Sequence, residues 1–188
     1  AKLSGICAEN AKGTIENCYN AGKVIGPDTI ENKARQQMCY GGICGRNTGS
    51  IKNSYNTGEI LGIQQIAGVC GTNAGGSVEN CYNTGDITVH YRYAGGVVGA
   101  TQGTVENCYS TGNIIETKKW VGVDTGYTGT EMWIGGAIGN NSSYTVSGNV
   151  VTGIVRNCYS DSTKFDGDVI GKTEDNAVSE NVESKTAD

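Results

Sequence analysis

One twelve-residue stretch is written several times along this chain, and that repetition limits the folds open to it. Residues 76–87 read GSVENCYNTGDI. Copies read GTIENCYNAGKV from Gly13, GSIKNSYNTGEI from Gly49, GTVENCYSTGNI from Gly103 and, more loosely, GIVRNCYSDSTK from Gly153. A shorter box precedes each copy, a glycine followed by two apolar residues: Gly5-Ile6-Cys7, Gly42-Ile43-Cys44, Gly68-Val69-Cys70, Gly96-Val97-Val98 and Gly136-Ala137-Ile138. Asp168-Val169-Ile170-Gly171 resembles the start of a sixth. A self-similar unit of this length signals a solenoid, a propeller or an array.

The segments between turn signals have strand length, with period-two alternation bounded by Asn and Gly. After Asn47-Thr48-Gly49 comes an alternating run to Tyr55, then the turn Asn56-Thr57-Gly58, then an extended run from Glu59 to Ile66. Such units fit an all-β parallel β-helix (β-solenoid) of about three short strands per coil and five to six coils. Right-handed winding is the default for parallel crossovers. No coil can bury its own inner face, so stacking is obligatory. Copies fall near 5–41, 42–67, 68–95, 96–135 and 136–168, making 1–170 a single solenoid and 171–188 a final partial coil or polar linker. Insertions interrupt the rhythm from Gly26 to about Gln37, from Glu116 to Thr130 and from Ser142 to Thr152.

The residue before the repeated Asn is always charged (Glu16, Lys52, Glu79, Glu106, Arg156) and should face water. Asn17, Asn53, Asn80, Asn107 and Asn157 are therefore expected at an inner corner. There a stack of identical amides bonds coil to coil and tolerates the left-handed backbone a corner needs; the plainer reading is ordinary turn residues. A corner at Asn would turn the next residue inward and the Tyr outward, where rings of adjacent coils could stack. Seven of the 8 cysteines occupy two repeat positions: Cys7, Cys44 and Cys70 in the first box, and Cys18, Cys81, Cys108 and Cys158 in the second. Repeat position explains them as small core residues. Stacked free thiols are favoured, since in-register strands orient their Cβ vectors alike, with at least one disulfide as the alternative and Cys39 with Cys44 or Cys7 the best-placed pair.

Composition narrows the function. Hydrophobic residues are only 37% of the chain and Phe occurs once, so the interior must be built from Val, Ile, Ala, Cys and stacked Asn. Gly is 30 residues and Pro 1, which excludes collagen. A net charge of −5 without a basic patch argues against nucleic acid as partner. No apolar run is long enough for a membrane-spanning helix, so membrane insertion is not expected. The opening residues AKLSGICAEN lack a signal-peptide core, and the chain reads as a piece of something longer.

The boxes Gly42-Ile43-Cys44-Gly45 and Gly68-Val69-Cys70-Gly71, each followed by IKNSYNTG or VENCYNTG, resemble the GLUG motif, a repeat of large secreted and surface-anchored bacterial proteins. The resemblance covers about five copies, from Gly5 to about Asp168. It departs in its Cys or Val residues at the motif's usual Leu position and in copy five, where the insertion pushes the boxes apart and a distorted coil is expected. It implies a non-catalytic, extracellular or cell-surface repeat region carried beside other domains of a larger polypeptide.

Catalytic parts are missing. The single His90 lies in an alternating strand, where a surface position is expected, and no second base accompanies a Ser or Cys nucleophile. Zinc lacks a Cys-x-x-Cys pair. Asp161, Asp166 and Asp168 fit a solvated turn better than a calcium loop. No cofactor is expected. The first functional expectation is a structural or adhesive module, a rigid spacer that presents loops. A self-assembling filament subunit stacking end to end is the first alternative. The second is a module for host or cell-wall glycan or protein that uses the aromatics Trp120, Tyr127 and Tyr91.

Overall fold

A computed structural model of the protein describes residues 1–26, 38–117, 131–174 and 176–186. These residues form a parallel β-helix. Four sheets run along it, each built from corresponding segments of successive coils. The first stacks Lys2–Ser4, Cys39–Gly41, Ile66–Ala67, Tyr93–Gly95 and Trp133–Gly135. The second stacks Cys7–Asn10, Cys44–Asn47, Cys70–Asn73, Val98–Thr101, Ile138–Asn141 and Ile170–Thr173. The third carries the repeated Asn-Cys-Tyr, from Thr14–Glu16 and Tyr19–Asn20 in the first coil to Val178–Lys185 in the sixth. The fourth holds Val24–Ile25, Ile60–Gly62, Ile87–Val89 and Ile114–Glu116. Neighbours in each sheet are successive coils, so coils one to six pile up in chain order, about 4.8 Å apart.

Four sheets replace the three strands per coil expected. The run from Glu59 to Ile66 is not one strand: it breaks between Gly62 and Ile66, where Gln65 takes a left-handed conformation at φ 51. Arg92 does the same one coil on, at φ 65. Neither residue carries the Asn or Gly signal from which a turn is read. The final polar stretch adds Ile170–Thr173 and Val178–Lys185 to the second and third sheets as a sixth coil.

Register is one-to-one throughout. Cys70 lies over Cys44, Tyr82 over Tyr55, and Cys158 over Cys108. Coil five is not distorted by its insertion. Tyr144–Val146 and Asn149–Val151 pair antiparallel as a hairpin at the turn between the second and third sheets, while Ile154–Asp161 keeps full register with coil four.

Two apolar cores result. One, between the second and third sheets, contains Ile43, Ile51, Val69, Val78, Val105, Ile138 and five of the cysteines. The other, between the first and fourth, contains Tyr40, Ile60, Ile66, Ile87, Val89 and Tyr91. Two asparagine ladders complete the interior. Asn10 donates to Asn47 at 2.8 Å, Asn47 to Asn73 at 2.9 Å and Asn73 to Thr101 at 3.2 Å. Across the core, Asn20 donates to Asn56 at 2.7 Å, Asn56 to Asn83 at 2.8 Å and Asn83 to Ser110 at 3.3 Å. The second proton of each amide is spent on its own turn, as in Asn56 to the Gly58 carbonyl at 2.8 Å, so the buried groups are satisfied.

The two sequence boxes meet inside each coil. A Cβ on Gly5 would stand 2.3 Å from the Asn20 side chain, one on Gly42 2.3 Å from Asn56, one on Gly68 2.2 Å from Asn83, one on Gly96 2.1 Å from Ser110 and one on Gly136 2.3 Å from Ser160. The box glycine is thus the space into which the ladder side chain of its own coil fits.

Tyr40 is the largest fully buried side chain among the described residues, its ring packed against Gly26 and Gly62. Its hydroxyl has no hydrogen-bond partner among the described residues. Burial, reinforced by the Cys39 thiol, pushes the phenol up to about 12 from its usual 10. Below pH 10 both folded and unfolded chains keep this proton. Between about pH 10 and 12 the unfolded chain releases it first, so stability falls as pH rises. Tyr40→Phe removes an unpartnered buried hydroxyl and is expected to leave neutral-pH stability unchanged or slightly raised. It should also flatten the alkaline fall, by about 1.4 kcal/mol per pH unit for the one proton. Urea unfolding of both proteins from pH 8 to 11.5 checks this.

Candidate functional site

The exterior carries three ordered features. The first is the asparagine column predicted from the repeat. Asn17, Asn53, Asn80, Asn107 and Asn157 all adopt the left-handed conformation, with φ between 50 and 55. Their amides form a chain: Asn80 to Asn53 and Asn107 to Asn80 at 3.3 Å, Asn157 to Asn107 at 3.0 Å, extended by Asn181 to Asn157 at 2.7 Å; at its start Asn53 donates to Glu16 at 3.3 Å. The column runs on the outside, not at the inner corner expected. All but Asn157 are exposed. The left-handed residue kinks the strand outward, so the apolar residue two before it and the Cys one after it both point in. The amides that do lie inside belong to Asn20, Asn56 and Asn83, three residues later, and to the Asn10 column.

The second is the tyrosine column. Tyr19, Tyr55, Tyr82 and Tyr109 stack face to face, with centroids 5.4, 4.8 and 5.0 Å apart. The faces between neighbours cover one another, while Tyr19 at the first coil is 60% exposed. Tyr159 leaves the column: Lys185 lies over its ring at 3.9 Å and Asn181 donates to its hydroxyl at 3.1 Å.

Behind these columns lie the cysteines. Cys44, Cys70, Cys81, Cys108 and Cys158 are buried in the core between the second and third sheets, and Cys7 and Cys18 are half-buried at coil one. Ser54 fills the same slot in coil two. All eight thiols are free, including Cys39, which faces Gln65 at 3.0 Å and Thr72 at 3.3 Å instead of Cys44 or Cys7. Burial pushes Cys70 and Cys108 well above the usual thiol range, and it raises Cys7 as well. By exposure, a thiol reagent at neutral pH should reach about two groups in the native protein, the half-buried Cys7 and Cys18. The remaining six should react only on unfolding, a count that mass spectrometry of the labelled protein checks.

Of the aromatic contact residues proposed from sequence, Trp120 and Tyr127 lie outside the described residues. Tyr91 is not a surface residue: it is 3% exposed and packs in the second core. His90 is likewise buried, not on the surface, its Nδ1 2.7 Å from the Thr117 hydroxyl. Both are turned inward by the left-handed Arg92 beside them, which resets the alternation. Asp161 is buried and accepts from the Thr163 amide and hydroxyl at 2.8 and 2.7 Å, closing a turn. The described residues hold no group of three His, Cys, Asp or Glu side chains placed to bind a metal.

The last feature went unseen in the sequence: a groove where the first and second sheets meet. In the outward row of the second sheet Glu9, Arg46, Thr72, Ala100, Asn140 and Lys172 follow one another coil by coil. Beside it, Lys2, Cys39, Tyr93 and Trp133 do so in the first sheet, with Gln65 in the rung between. The row begins with an ion cluster. Lys2 and Arg46 flank Glu9 at 2.5 and 3.3 Å and hold its carboxyl below the usual range. Toward coil five, Trp133 stacks on Tyr93 at 4.9 Å. Only the spacing of outward residues between boxes, read coil against coil, could have revealed this row.

With this geometry in hand, comparison with known families becomes specific. Residues 36–61, 62–88 and 90–115 each match the model of the GLUG motif. Each matched segment corresponds to one coil, two, three and four in turn, passing through all four sheets. No curated protein and no solved structure matches the chain.

Proposed function

From three GLUG motifs that each make one turn of a single β-helix, we propose that the protein is a non-catalytic structural module of a bacterial extracellular or cell-surface polypeptide. It acts as a rigid spacer between other domains and presents loops along its side. The observation that carries this reading is the tolerance of register to insertion. The hairpin at 144–151 is extruded at a turn while coils four, five and six remain paired residue for residue. A body of this kind lengthens by one rung per repeat and leaves its loops free to vary, as nearest-neighbour stacking requires. Columns of amides and rings along the axis oppose shear between coils.

The test is to duplicate residues 68–95 within the full chain. Small-angle scattering should then show the particle about 4.8 Å longer with an unchanged cross-section. An unchanged length, or loss of the β circular dichroism signal, would remove the spacer reading.

A further inference from the structure

The groove between the first and second sheets has more than a structural lining. It encloses about 260 Å³. Its floor is Thr72, Ala100 and Asn140, and Gln65, Tyr93 and Gln102 stand along its sides. Ala100 is the one small residue in its row, and the space its side chain leaves lies beside the Tyr93 ring. Arg46 and Glu174 stand at opposite ends, in coils two and six, four rungs or roughly 19 Å apart. Between them the lining is amides, hydroxyls and the edge of the Tyr93 ring, whose faces are covered by Trp133 at 4.9 Å and by the Arg92 guanidinium at 4.7 Å from its centroid. Asn140 is 5% exposed, its Nδ2 donates to Glu174 at 3.2 Å, and its buried Oδ1 has no partner. An acceptor in that state costs free energy until a donor reaches it.

We propose that this groove binds an unbranched, neutral oligosaccharide lying along the solenoid axis. Arg46 and Glu174 offset each other at the two ends, so the lining presents no run of like charge to hold a polyanion. A lining of amides and hydroxyls matches a ligand that offers hydroxyls along its edges. Asn140, Gln65 and Gln102 supply donors and acceptors on successive rungs, and Ala100 leaves the depth for one sugar ring beside the edge of Tyr93. The site is separate from Trp120 and Tyr127 and does not depend on the spacer reading.

The test is calorimetric titration of the full chain with cellotetraose, maltotetraose, mannotetraose and tetraacetylchitotetraose. At least one should bind with a Kd of about 1 mM or tighter. Ala100→Arg, which fills the floor from the outward face, should weaken that binding at least about tenfold, and Asn140→Ala by a similar factor. Ile115→Ser on the fourth sheet should leave it unchanged. The melting temperature of each variant reports whether it is folded, and Asn140→Ala decides the matter if Ala100→Arg is not. No binding of any of the four sugars by the wild-type protein overturns the proposal. So does binding that a folded groove variant leaves intact, because the sugar would then sit elsewhere.

Discussion

Asn83→Leu is expected to destabilise the protein by about 3–5 kcal/mol, one of the two largest effects any single substitution should have here. Asn83 is fully buried and holds four partners. It donates to the Gly85 carbonyl at 2.8 Å and to Ser110 at 3.3 Å, and its Oδ1 accepts from Asn56 at 2.8 Å and from the Gly85 amide at 3.2 Å. Leucine has similar bulk and none of these bonds. It strands the Gly85 groups at a turn with no room for water, and it leaves the Asn56 amide with one unbonded proton. Each buried group left unpaired costs about 1–3 kcal/mol, and partial relaxation keeps the total below the simple sum. For a chain of this size the loss corresponds to roughly 10–15 °C in Tm. Asn80→Gly, three residues earlier on the exposed column, keeps the left-handed backbone at φ 53 and should cost under about 1 kcal/mol, because water replaces its lost partners. Chemical unfolding of the two variants side by side checks the contrast. Equal losses would mean that the inner ladder has been assigned to the wrong residues.

Gly68→Ala should be comparably damaging, although a single methyl is added. Its Cβ would sit 2.2 Å from Cγ and Oδ1 of Asn83 and 2.3 Å or nearer is the rule at the matching glycines of the other coils. The backbone at Gly68 is not in the left-handed region, so the cost is steric. Overpacking alone typically costs about 1–3 kcal/mol. Here Asn83 cannot move aside without giving up its ladder bonds, which brings the total to about 4 kcal/mol. Because both substitutions break the same bonds, Gly68→Ala combined with Asn83→Ala should cost at least about 1 kcal/mol less than the two singles added together. Strict additivity in that cycle would show that the glycine does not act through the asparagine.

This coupling gives the two-box repeat a physical meaning. The first box provides a glycine notch and the second an amide or hydroxyl that fills it, so each coil is braced across its interior. The coils with Ser110 and Ser160 in place of Asn keep the notch and the fit, with a shorter side chain and a hydroxyl as the ladder member.

The repeat unit, the in-register stacking, the inward cysteines and the stacked outward tyrosines were all legible along the chain. Each follows from a local pattern of alternation, and identical neighbours impose the same choice on every coil. What could not be read locally depends on which part of the chain lies across or beside another. Left-handed Gln65 and Arg92 split one extended run into two sheets without a turn residue to announce it, and they drew His90 and Tyr91 inside. Two sets of asparagines recur with equal regularity, three positions apart. Only packing against the box glycines decides that Asn56 and Asn83 are buried while Asn53 and Asn80 meet water. The groove beside Ala100 is assembled from residues one coil apart, so its chemistry exists only once the coils are stacked. Sequence periodicity determined the rung of this ladder-like molecule; the contacts between rungs determined which side of each rung is inside, because burial is a property of neighbours that are distant in the chain.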